Sequence, residues 1–108
     1  MSEPPLVIEA LPDLSSELQR LLEAEGEAAL AAEVPVLRIV DRCRCGDDFC
    51  AMFYTVSKPS GAWGEGHETI PLIPGIGDLN VDVVSGHIVA VEVLFNPSAK
   101  KRLLRACP

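Results

Sequence analysis

The sequence is short of aromatic rings, of bases and of long apolar runs, and each shortage removes a class of protein. Only five of its 108 residues are aromatic, one Trp, one Tyr and three Phe, so any core must be aliphatic. Nine Lys and Arg stand against sixteen Asp and Glu, a formal charge of −7. A protein that tracks nucleic-acid phosphates needs a basic face, and an anionic membrane surface attracts basic segments, so both partners are excluded as expectations. No stretch approaches the roughly 20 apolar residues of a membrane span. The opening MSEPPLVIEALPD has no basic region before an apolar one and does not read as a secretory signal. The expected compartment is therefore the cytoplasm, where thiols stay reduced. No glycine loop suits a phosphate: Gly61 to Gly66, GAWGEG, lacks both a strand–loop–helix setting and the lysine of such loops.

What is present is a chain that is 48% hydrophobic, enough for one core in one domain of this size. Residues 1–12, with three prolines, read as an extended or poorly ordered segment that can pack through Leu6, Val7 and Ile8, and 13–108 as a single α+β domain. Leu14, Leu18, Leu21 and Leu22 form an apolar stripe at helical spacing. Asp13 or Ser16 is positioned to cap that helix, and Ser16 with Gln19 fits a capping box. Gly26 weakens or ends it, and Glu27–Glu33 reads as a second short helix or as a continuation of the first. Pro35 biases Val34 away from helix, so a strand is expected to follow at once. Residues 57–66 are a loop carrying Trp63, which either folds back over the core edge or stands out as a binding anchor. His67–Ile73 is an edge strand interrupted by Pro71. Alternation across residues 79–95, with Ser85-Gly86 at the middle, marks a hairpin. Pro97 then opens a basic helix to Ala106.

The predicted fold is a mostly antiparallel sheet of about five strands, with the N-terminal helices on one face and a short C-terminal helix. Its expected core is Leu14, Leu18, Leu21, Leu22, Ile39, Phe53, Val81, Val83, Val89, Val91 and Val93. A sheet with one open face is suited to self-association, so a homodimer or another protein partner is expected.

Unusual chemistry is concentrated in Val36–Val56, VLRIVDRCRCGDDFCAMFYTV. Two runs of strand-forming residues flank Gly46-Asp47-Asp48, which is turn chemistry. A two-residue loop at Gly46-Asp47 sets Cys43 opposite Cys50, whereas a four-residue loop sets Cys45 opposite Cys50. In both registers Leu37, Ile39, Cys43, Cys45, Cys50, Met52, Tyr54 and Val56 share one face. An odd loop or a bulge would turn Cys50 away.

Three uses of these thiols follow from that parity. They can extend a buried apolar face as small hydrophobes. Cys43 and Cys50 can form a disulfide or act as a redox pair. Or Cys43, Cys45 and Cys50 can bind zinc, with the fourth ligand from His67, Cys107 or a nearby aspartate. A thiol enzyme would need one of these cysteines beside His67. Arg38, Arg42 and Arg44 fall on the hairpin face opposite the cysteines and offer, with Trp63, a contact surface for an acidic protein or a second copy.

Two patterns carry a resemblance. Asp82 to Leu94, DVVSGHIVAVEVL, is similar to the hairpin of a family of small uncharacterised bacterial domains, in which an Asp, a Gly turn and an Ile/Val-Glu-Ile/Val-Leu strand recur. Cys43 to Cys50, CRCGDDFC, followed by Phe53-Tyr54, resembles a signature of similar proteins. The resemblance implies no activity, ligand or catalytic residue. Three functions stay open: a non-enzymatic interaction or regulatory module, a metal-binding or thiol-responsive domain, and a thiol enzyme.

Overall fold

A computed structural model describes residues 3–108; Met1 and Ser2, part of the segment expected to be extended, lie outside the described residues. Five strands, β1 (Asp41–Arg42), β2 (Phe53–Tyr54), β3 (His67–Leu72), β4 (Asp78–Val84) and β5 (His87–Leu94), form one antiparallel sheet in the order β1-β2-β5-β4-β3. Helices α1 (Val7–Ala10), α2 (Pro12–Ala24), α3 (Ala28–Glu33) and α4 (Pro97–Ala106) complete it. The α+β class read from the sequence is the class observed.

The β4–β5 hairpin is the backbone of the sheet. Ser85 and Gly86 both have positive φ, 51° and 81°, the conformation that a two-residue turn between twisted strands requires. A bulge between Asp82 and Val83 shifts the pairing, and this corrects one expected core residue. The extra residue reverses the alternation on β5, so Ile88 enters the helix-side core with Val91 and Val93, while Val89 is buried outside that cluster. Gly77 opens β4 at φ +70°, and a Cβ there would lie 2.1 Å from the Leu94 carbonyl oxygen. Only glycine fits this approach.

The helical layer starts earlier than its stripe suggested. Val7 is fully buried and its N–H donates to the Leu37 carbonyl at 2.9 Å. The expected extended segment therefore folds into a helical turn over Val7–Ala10 and joins the core, because Val7 and Leu11 have apolar surface to cover. Helix α2 begins at Pro12, with no side-chain cap. Proline at the first helical position needs none of its own N–H, so the Ser16–Gln19 box does not form; Gln19 instead donates to the Ala31 carbonyl, 3.2 Å away. Leu14, Leu18 and Leu22 are buried and Leu21 is half-buried. Gly26, at φ +79°, ends the helix: its N–H bonds the Glu23 carbonyl and the Glu27 N–H bonds that of Leu22, a Schellman motif.

The first hairpin strand is shorter than expected. Val34–Val36 is a 3₁₀ turn, in which Pro35 is tolerated for the same reason as Pro12. Regular pairing is confined to Asp41↔Tyr54 and Arg42↔Phe53. The Val40 N–H also reaches the Tyr54 carbonyl, at 2.8 Å, so two residues face one. This irregularity corrects the expected shared face: Leu37 and Ile39 turn into the helix-side core, whereas Cys43 and Cys45 turn to the other face.

Candidate functional site

Phe53 is fully buried against the helices, and its register partner Arg42 shares its side of the sheet. By alternation Asp41, Cys43 and Cys45, and across the hairpin Cys50, Met52 and Tyr54, occupy the opposite, open face. Counting on from Arg42↔Phe53 sets Met52 opposite Cys43, and the Cys43 N–H donates to the Met52 carbonyl at 2.8 Å. Pairing ends there: the Cys50 N–H turns back to the Asp47 carbonyl at 3.2 Å, and Cys50 bridges Leu94. The two-residue register, which would set Cys43 opposite Cys50, is not formed.

The turn brings three sulfurs together. The Sγ atoms of Cys43, Cys45 and Cys50 all lie within 4.8 Å of one another, and all four cysteines of the chain are free thiols. Their exposure is graded. Cys45 is exposed, Cys43 half-buried, and Cys50 only 8% exposed. The Asp47 N–H, and after it the thiols of Cys50 and Cys43, donate to the Cys45 sulfur and hold its pKa below the usual thiol value. Burial pushes the Cys50 thiol up to about 11. Of these two thiols the exposed Cys45 is therefore the one that the tip favours as thiolate.

Long-range bonds hold the tip in place. The Lys100 ammonium, on α4, donates to the Cys50 carbonyl at 2.6 Å and to that of Asp47 at 3.1 Å. Cys50 also pairs with Leu94 on the neighbouring strand, and the Phe95 N–H donates to the Phe49 carbonyl at 2.9 Å. The rings of Phe49 and Phe95 stack at 5.0 Å with 17° between their planes. Sequence reasoning missed Lys100, because no local pattern links a basic helix to a turn 50 residues earlier.

The other predicted site residues go elsewhere. His67 Nε2 is 2.9 Å from Asp82 Oδ1 at the opposite end of the sheet. Six residues of β4 separate its row from that of the thiols, about 20 Å at strand rise. The structure therefore does not bring His67 to the cysteines, either as a fourth ligand or as the base of a thiol–imidazole pair. Cys107 packs against the core, and its carbonyl accepts from Arg42 Nε at 2.7 Å. Arg44 donates to Pro108 and pairs with Asp41, while Arg38 donates to Pro4 and pairs with Glu3. The three guanidinium groups thus tie flanking segments to the sheet. Trp63 folds back, half-buried, with its ring 6.2 Å from Tyr54 and 6.4 Å from His67.

A separate cleft of about 310 Å³ opens where α2, α4 and the β3–β4 turn meet, lined by Leu11, Leu14, Glu17, Ile76, Asn96 and Arg102 among others. Two of its polar groups already serve the fold. Glu17 accepts from the Gly75 N–H, and Asn96 caps α4 by accepting from the Ala99 N–H. The thiol tip is therefore the stronger site. No helix is long and apolar enough to cross a membrane among the described residues. No protein-family model, curated protein or solved structure matches the chain.

Proposed function

We propose that this protein is a non-enzymatic regulatory module whose signal is a thiophilic d¹⁰ cation, zinc or copper(I), held by Cys43, Cys45 and Cys50. The observation that carries this reading is the mutual approach of three sulfurs within 4.8 Å. At a zinc–sulfur bond of ~2.3 Å, tetrahedral ligands stand about 3.8 Å apart, so closing on an ion takes side-chain movements of an ångström or less. Soft thiolates select this class of metal over hard cations. Cys45 supplies the thiolate that meets the ion first, and the ion's charge offsets deprotonation of the other two sulfurs. Three protein ligands leave a position open to water or to a donor from a partner, which suits a reversible site better than a closed structural one.

The test is elemental analysis of protein purified without chelator, followed by zinc titration of the wild type and of the Cys43→Ser, Cys45→Ser and Cys50→Ser variants. The expected result is one ion per chain, lost in each variant and retained in Cys107→Ser. Absence of binding in the wild type, or equal binding in all four variants, defeats the proposal.

A further inference from the structure

We infer that the same tip is also a thiol–disulfide exchange site, at which Cys45 takes the incoming disulfide and Cys50 resolves it. The assignment follows from exposure and from the proximity of the sulfurs. It uses the sulfurs of the metal reading but needs no metal.

Exchange by a dithiol needs one sulfur that an outside disulfide can reach and a second, shielded from solvent, that can reach the first. Cys45 is exposed, whereas Cys50 is 8% exposed and sits against Leu94. The Sγ atoms of Cys43, Cys45 and Cys50 all lie within 4.8 Å of one another, so a bond of ~2.05 Å between Cys50 and either neighbour needs only a small adjustment. Exposure then selects Cys45 over the half-buried Cys43, the partner expected from the sequence, as the sulfur an outside disulfide meets. The turn can supply that adjustment. Gly46, at φ +85°, has nothing within 4 Å of where a Cβ would stand, while Lys100 holds the Asp47 and Cys50 carbonyls at the turn's base.

The chemistry balances with a disulfide as the sole oxidant. The Cys45 sulfur, as thiolate, attacks one sulfur of the incoming disulfide. That S–S bond breaks, a mixed disulfide forms on Cys45, and the first small thiolate leaves and takes up a proton. Cys50 gives up its proton, its sulfur attacks that of Cys45, and the second small thiol leaves. Two protein thiols are oxidised to one disulfide while one small disulfide is reduced to two thiols.

The experiment uses the full-length, metal-free chain with oxidised glutathione as the probe, read by intact mass and peptide mapping. The wild type is expected to end as a Cys45–Cys50 disulfide without a persistent adduct. The Cys50→Ser variant is expected to accumulate one glutathione adduct, on Cys45. Cys45→Ser, at an exposed position, is expected to fold normally and to react about tenfold more slowly at the tip, which keeps the test decisive if Cys50→Ser fails to fold. A Cys43–Cys50 bridge, adducts spread evenly over all four cysteines, no reaction, or a Cys45→Ser rate equal to wild type overturns the inference. Because no metal is present, none of these outcomes bears on zinc binding, and loss of zinc binding leaves this result untouched.

Discussion

Two of the hairpins in this sheet, β4–β5 and the cysteine hairpin, are built on different terms. The β4–β5 hairpin pairs seven residue couples and closes in two turn residues that both hold positive φ. Its main-chain groups satisfy one another, and its side chains alternate between core and open face. The cysteine hairpin pairs only two couples, and its tip is held by the Lys100 ammonium, a bridge to Leu94 and a stacked phenylalanine pair. The first is rigid through its own ladder. The second is anchored at its base by Phe53 and at its tip by tertiary bonds, with Gly46 of the turn between the thiols standing in open space. A site that must close on an ion or form a bond needs that combination.

The sharpest way to break the comparison is to remove the anchor both hairpins use. Phe53 is fully buried and pairs with Val91 on β5. Phe53→Ala is expected to cost about 3–5 kcal/mol in chemical denaturation; a loss near zero would mean that the cysteine hairpin is not docked on the sheet as described. Next come the turn glycines. Gly77→Ala sets a Cβ against the Leu94 carbonyl and is expected to destabilise more than Gly46→Ala or Gly86→Ala. Those two have left-handed φ but open surroundings, so each should cost only about 1–2 kcal/mol. Equal losses at all three positions would remove the distinction between the crowded turn and the open ones.

A smaller effect separates the tips. Lys100→Met removes two bonds to the cysteine turn and should cost about 1 kcal/mol. Amide exchange should quicken at Cys50 and Phe95, whose N–H groups bond the turn, with the β4–β5 amides unchanged. The last effect is confined to alkaline pH. Folding favours the protonated Cys50 thiol, whose pKa is raised from 9.0 to about 11. The native state thus binds more protons in that window, and stability falls as pH rises through it. Tyr54, raised by burial, acts in the same sense at high pH. The difference between the wild type and Cys50→Ala, in denaturation followed from pH 9 to 11, isolates the thiol, and a variant as pH-sensitive as the wild type would remove Cys50 as the cause.

How far the sequence could be read depended on the same contrast. Where a ladder is long, alternation is a direct image of the fold: Val81, Val83, Val91 and Val93, the Ser85-Gly86 turn and the edge strand with Pro71 were all legible. The bulge that brings Ile88 into the core was not, because an extra residue leaves no mark in residue type. At the cysteine tip the even parity of the thiols was legible from turn chemistry, but the choice between the two registers was not. That choice depends on tertiary bonds from α4 and β5, which lie 50 and 44 residues away along the chain. The irregularity at Val40 was hidden for the same reason as the bulge, so Leu37 and Ile39 could not be separated from the cysteines. Nor did charge spacing reveal that Arg42 and Arg44 grip the residues after α4.

The most direct test of the central claim is X-ray absorption spectroscopy of the zinc-loaded protein at one ion per chain, which counts the sulfur atoms around the metal. Three sulfurs at a zinc–thiolate distance of ~2.3 Å, with one lighter oxygen or nitrogen neighbour, are predicted. One sulfur or none would contradict the account, and so would four, since Cys107 would then have to leave the core to complete the site.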